Sequence, residues 1–385
     1  MALKVTSRDI QEIVSKLSSD KAKSREEGVK LLNTWLDGER KAAFCTYIAE
    51  KTAMLKPYDI PHSETWPFLV ELLMNCVLLE ISGSKKRPPK LTFAKTLRVV
   101  VQRAEDSQYS GKTQLLLHVV KFLFKHVCDV LRDVPSFQSE YSTILRDLLA
   151  VRPYGLHMRK HTYYGLMLFY MERVQTSLSA KNDGQLNPKD EIFRCILTLH
   201  SLLENPPGDF SNDLREQILV GFAKFFTQIR DEGKVTRKLI ECINTYLLID
   251  GPNLGLKYLE IHKDVQQLVF SFWKTTHDRS LKDSIVFYAK LQLNLTRGAA
   301  DEGALLEELL DITYKELNQM SISGNNFPWR ETLKDEKYQS MTRSQCSIME
   351  LAALVFCRCH RTSLKGSQEV HPRRHLHLKK TWRAS

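Results

Sequence analysis

The sequence is poor in several features, and each shortage removes a class of protein. Almost no stretch alternates apolar and polar residues, so half-buried β-strands are not a main component. The eight cysteines, at 45, 76, 128, 195, 242, 346, 357 and 359, form no C-x-x-C pair, which removes the common zinc and dithiol spacings. They are scattered through apolar segments, as expected of buried thiols in a reducing compartment. No long hydrophobic run occurs. The most apolar stretch, Phe68 to Ile81, is about fourteen residues and holds Glu71 and Glu80, which predicts a core helix rather than a membrane span. The polar, charged start, Met1–Ile10, predicts no signal peptide. The 13 prolines sit mostly between apolar segments rather than within them.

What remains is helix after helix. Apolar residues recur at three and four over Leu91–Ala104, Thr113–Leu131, Tyr141–Val151, His157–Leu178, Lys189–Leu203, Leu214–Ile229, Val235–Leu248, Leu254–Trp273, Lys282–Leu295 and Ala304–Met320. Short breaks separate them, such as Arg152-Pro153-Tyr154-Gly155 and Pro206-Pro207-Gly208. Ser63 is the expected N-cap of the helix that ends near Ile81. Segments of this length without a strict repeat predict an all-α protein, a degenerate HEAT-like helical-repeat solenoid over residues 1–357. From residue 358 to 385 the texture changes to a basic tail with eight Lys or Arg against Glu369, which carries most of the net charge of +11. The body is nearly balanced, so the basic balance does not make the whole chain a nucleic-acid binder. The tail is expected to lack order and to depart from the course of the body, as a splice or reading-frame change would make it.

The stretch Lys16–Trp35 organises the rest. Leu17, Lys21, Arg25 and Val29 recur at steps of four, which places all four on one helix face, within roughly 120°. A stripe with apolar ends and two central cations is unusual for a plain amphipathic helix. Read from the residues alone, it is a solvated face paired with Asp20, Glu26 or Glu27, or a recognition stripe. The spacing also resembles the N-terminal motif of the ATM-type kinases, the ataxia-telangiectasia-mutated branch of the phosphatidylinositol-3-kinase-related kinases. Ser24 stands where that family has an acid, so Asp20 or Glu26 would have to orient Arg25. A second stretch, Ile144–Tyr154, resembles the L-x-D-[IL]-L-x-V-R-x-Y pattern further along the same family's N-terminal region. The two follow in family order, and the likeness, closer to plant than to animal members, extends to about Cys357.

The resemblance implies an interaction scaffold in double-strand-break signalling and telomere-length maintenance, located in the nucleus. Its partners would be adaptor proteins of the break-sensing complex, of the nibrin type. Leu17 and Val29 would pack, while Lys21 and Arg25 would meet the partner. An unrelated helical-repeat scaffold in transport or RNA metabolism is the alternative. The sequence has no Gly-rich phosphate loop, no D-F-G and no catalytic H-R-D run, so no kinase activity is expected of this chain itself. Lys85, Lys86, Arg87 and Lys90 form a candidate nuclear-import segment or a solvated loop. DNA is a possible further partner, through Lys21, Lys23, Arg25 and Lys30 or through Arg152, Arg159, Lys160 and His161. Tyr163, Tyr164, Phe169 and Tyr170 read as core, or as one wall of a peptide groove. Cys357, Cys359, His360, His371, His375 and His377 have no reliable zinc spacing among their surrounding cations. No metal, cofactor, catalytic residue, membrane or small-molecule substrate is expected.

Overall fold

The computed structural model describes residues 5–56, 58–83, 89–106, 108, 115–151, 153–179, 188–229, 233–276, 278–297, 302–324 and 347–360. Among them every regular element is helical. The chain divides into two compact units, Met1–Gln228 and Ile229–Ser385.

The first unit holds α1 (Ser7–Leu17), α2 (Ala22–Leu36), α3 (Lys41–Ala53), α4 (Trp66–Gly83), α5 (Thr92–Ala104), α6 (Leu117–Asp133), α7 (Gln138–Ala150), α8 (Lys160–Ser179), α9 (Pro188–Glu204) and α10 (Asn212–Gln228). They stack in two rows. In one row α1 meets α4, α4 meets α6, α6 meets α8 and α8 meets α10; in the other α2 meets α5, α5 meets α7 and α7 meets α9. Successive helices cross between the rows as the pairs α1/α2, α4/α5, α6/α7 and α8/α9, and α3 is an extra helix against α2 and α4. This is the helical-repeat, solenoid-like arrangement that the sequence predicts.

Local chemistry starts the helices. Thr6 and Asp9 form a capping box on α1, in which the Thr6 backbone N–H donates to the Asp9 carboxylate at 2.9 Å. The α4 helix begins at Trp66, so Thr65 precedes it rather than Ser63; the Trp66 N–H is satisfied by the Thr52 hydroxyl of α3 at 3.0 Å. Polar pairs pin the second row. Asn33 of α2 donates to Thr96 of α5 at 3.0 Å, and Arg98 of α5 pairs with Glu140 of α7. Between rows, Ser142 of α7 and Tyr170 of α8 share a hydrogen bond of 2.7 Å.

The apolar segment is longer than its uninterrupted run suggests. α4 has 18 residues with mean hydropathy 1.4, enough by length and composition to cross a membrane. Half of it is buried inside the protein, however, and Glu80 is among the buried residues, where it accepts the Lys90 backbone N–H at 3.1 Å.

The second unit contains α11 (Lys234–Asp250), α12 (Leu256–Thr275), α13 (Arg279–Leu295), α14 (Glu302–Gly324) and α15 (347–360). Asp278 caps α13 by accepting from the N–H groups of Ser280 and Leu281 at 2.8 and 3.3 Å. α13 is the centre of the unit and touches α11, α12 and α14. Beneath it the buried His262 ring meets the Tyr288 hydroxyl at 3.1 Å and the Gln292 amide at 2.6 Å. Burial pushes His262 down to about 4, so the ring is neutral and accepts from this pair. α15 is tied by Lys290–Glu350 at 2.6 Å and Arg358–Glu302 at 3.2 Å. It runs to 360, past the expected start of the basic tail; residues 361–385 lie outside the described residues.

Candidate functional site

The stretch 16–35 is not one helix. α1 ends at Leu17, and α2 begins at Ala22 and returns against α1. Ser18, Ser19 and Asp20 make the break, because short polar side chains compete with the backbone for hydrogen bonds and favour turns. The Ser19 hydroxyl accepts the Lys21 N–H at 3.2 Å, and Lys21 takes the extended conformation of an N-cap with ψ 120°.

This elbow redistributes the four predicted residues. Leu17 closes α1 and Val29 lies in the second turn of α2; both are buried. Lys21 is exposed at the corner. Arg25 is not: only 7% of its surface is accessible. Its Nη1 donates to the carbonyl oxygens of Ser19 at 2.9 Å and Asp20 at 2.8 Å. The guanidinium thus orders the corner by charge-assisted bonds to main chain. Asp20 contributes its carbonyl oxygen to this bond, and Glu26 pairs instead with Lys90. The expectation of a cationic stripe along one helix face is therefore corrected to a buried arginine beneath an exposed lysine.

Two residues complete the elbow that spacing did not single out. A Cβ on Gly28 would stand 3.0 Å from the Leu17 Cγ, the Leu17 N and the Lys16 Cβ. Glycine is what lets α2 approach α1 so closely. From α4, the Cys76 thiol donates to the Leu17 carbonyl at 3.3 Å, and burial pushes that thiol up to about 11. The sequence signal for Gly28 was a lone glycine inside a helical pattern, which often marks close packing.

The second stretch is mostly core. Ile144, Leu145, Leu148 and Leu149 are buried on α7. Asp147 is half-buried, and desolvation raises its pKa against the opposing pull of Gln102 and Arg146. Tyr154 ends the stretch; its hydroxyl donates to the Leu115 carbonyl at 2.9 Å and lies 3.4 Å from a carboxyl oxygen of Glu105. Burial pushes Glu105 up to about 7.

The remaining predicted residues are dispersed. Lys85, Lys86, Arg87 and Arg152 lie outside the described residues. Lys90 pairs with Glu26 of α2. Lys23 and Lys30 are exposed on α2, while Arg25 is turned away from any phosphate. Arg159, Lys160 and His161 are exposed at the start of α8. Tyr163 is core, donating to the Leu202 carbonyl at 2.9 Å, and Tyr164 is bonded to Asp213. Among the described residues no group of His, Cys, Asp and Glu could hold a metal ion.

Residues 10–164 match the family of telomere-length maintenance and DNA damage repair domains, a span that begins in α1 and ends in α8. The chain is thus a helical-repeat region carrying that domain. Over 350 residues it is 54% identical to the serine/threonine-protein kinase ATM of Arabidopsis thaliana, covering 91% of this chain and 9% of that protein. The likeness is to the N-terminal region of that kinase, and the chain spans less than a tenth of the relative's length. No solved structure matches.

Proposed function

We propose that this chain is an interaction region working in the nucleus, in the DNA double-strand-break response and in telomere-length maintenance. Its partners are adaptor proteins of the break-sensing complex, of the nibrin type. The observation that carries the reading is the match over residues 10–164, which takes in the elbow and the stretch ending at Tyr154. Phosphoryl transfer belongs to the kinase it resembles; this chain contributes recognition.

In this reading Leu17, Val29 and Gly28 close α1 onto α2, Arg25 sets the corner, and Lys21 is offered to an acidic partner surface. An exposed cation on a rigid corner suits recognition, since little freedom is lost on contact. Lys85, Lys86, Arg87 and Lys90 serve nuclear import.

The test is a pull-down from nuclear extract with the whole chain, wild type against Lys21→Glu, quantifying subunits of the break-sensing nuclease complex. Wild type is expected to recover them and the variant to lose most of the signal, with unchanged helicity by circular dichroism. Equal recovery removes Lys21 from the contact. Recovery of transport or RNA-processing proteins alone, in both, overturns the reading.

A further inference from the structure

A groove of about 1230 Å³ opens between α6 and α8. Its walls are helical faces: Lys121, Lys125 and Cys128 follow one another at four and three on α6, and His161, Gly165 and Phe169 at steps of four on α8. Along the rim Lys121, Lys125 and Arg159 are exposed, and none of them makes an ion pair among the described residues. Other polar groups there are engaged: Arg132 with Asp129 at 3.4 Å and Asp133 at 3.0 Å, and His118 with Glu71 at 3.2 Å. Of the two acids lining the groove, Asp129 is held by Arg132, and Glu172 lies a turn beyond Phe169. The floor is apolar, built from Phe122, Leu166, Leu168 and Phe169, and Leu156 at its edge is 69% exposed.

Gly165 adds an independent mark. A Cβ there would meet nothing within 4 Å, so no packing demands a glycine. In mid-helix the residue costs roughly 1 kcal/mol relative to alanine. Its effect is to leave the backbone of α8 bare toward the groove.

We propose that this groove receives an acidic amphipathic helix of a partner protein. Carboxylates of the incoming helix meet Lys121, Lys125 and Arg159, and its apolar face settles on Phe122, Phe169 and Leu156. The unneutralised rim selects an acidic ligand. The apolar floor selects a peptide over a nucleic-acid backbone, whose phosphates gain nothing from phenylalanine and leucine side chains. The volume exceeds the roughly 300–1,000 Å³ of small-molecule sites, as a helix-sized ligand requires. The proposal goes beyond the adaptor reading and does not depend on Lys21.

The experiment is an anisotropy titration of the whole chain into a fluorescein-labelled amphipathic peptide, with Glu and Asp on one helical face and Leu and Phe on the other. A scrambled peptide of the same composition and a labelled DNA duplex are the comparators. Saturable binding of the amphipathic peptide is expected, weakened about tenfold or more by scrambling and by Lys121→Glu with Lys125→Glu. The Cβ of Gly165→Leu meets nothing within 4 Å and leucine favours helix, so melting temperature should not fall while affinity falls about tenfold. That variant keeps the test decisive if the double reversal fails to fold. Absence of binding, equal binding of the scrambled peptide, affinity unchanged in Gly165→Leu, or tighter binding of the duplex would each overturn the proposal.

Discussion

In the α1–α2 elbow the central cation points inward: Arg25 is buried and spends its Nη1 on the carbonyls of Ser19 and Asp20. In the α6–α8 groove Lys121, Lys125 and Arg159 stand in solvent around an apolar floor. The glycines follow the same division. Gly28 has three atoms 3.0 Å from where its Cβ would be, and Gly165 has none within 4 Å. One region uses charge and small size to bring two helices of its own chain together. The other holds the same two means open to a visitor. Resemblance to a family motif marked the first region, and the packed structure assembles the second.

Substitutions can break or sharpen this contrast, and they differ in expected size. Arg25→Ala should cost about 4 kcal/mol, since two charge-assisted bonds from a buried guanidinium to main chain vanish together. Urea titration of the whole chain, followed by helicity, would read it as a lower midpoint of the first unit. Glu105 supplies the next effect. Its carboxyl is raised from 4.5 to about 7 in the folded protein, so the folded state binds the proton more tightly. The associated stability is full below about pH 4.5 and is lost as pH rises through 7, on the order of 3 kcal/mol. Glu105→Gln should flatten the melting temperature between pH 5 and 8. An unchanged pH profile would show that Glu105 ionises freely in the fold.

The two glycines give the most direct comparison. Gly28→Ala should destabilise by about 1–2 kcal/mol, because crowding against Leu17 and Lys16 outweighs the gain in helix propensity. Gly165→Ala should instead stabilise by roughly 0.5–1 kcal/mol. Equal signs from thermal melts of the two variants would erase the distinction between a packed and an open glycine. Smallest is Lys90→Ala. Its pair with Glu26 is substantially solvent-exposed, so the loss should stay below about 1 kcal/mol and shrink further in salt.

Much of the helical course was legible in the amino acids. The pattern predicted a helix over His157–Leu178 where α8 occupies Lys160–Ser179, and over Lys282–Leu295 where α13 occupies Arg279–Leu295. Such segments bury one stripe each, and burial leaves a period that can be read directly. The elbow escaped the same reading. A recurrence of four reports angular position but not continuity, and an antiparallel return can bring Val29 back into the core with Leu17 in the same phase. Ser18-Ser19-Asp20 was the available signal. The role of Arg25 was hidden for another reason: its partners are main-chain oxygens, which leave no trace in a charge pattern. The groove was legible only in part: Phe169 reads as core or as a groove wall, but Lys121 and Gly165 belong to separate helices and meet only through stacking of the row.

That stacking has a kinetic consequence. In the first unit α1, α2 and α4 to α8 each meet a pair partner and the next member of their own row, so their contacts join residues close along the chain. Structures built from near contacts close short loops and fold quickly. As the chain leaves the ribosome, α1 and α2 can pair before α4 exists, and every later pair finds a finished surface to join. Assembly then proceeds like laying courses of brick, with the Arg25 corner set in the first.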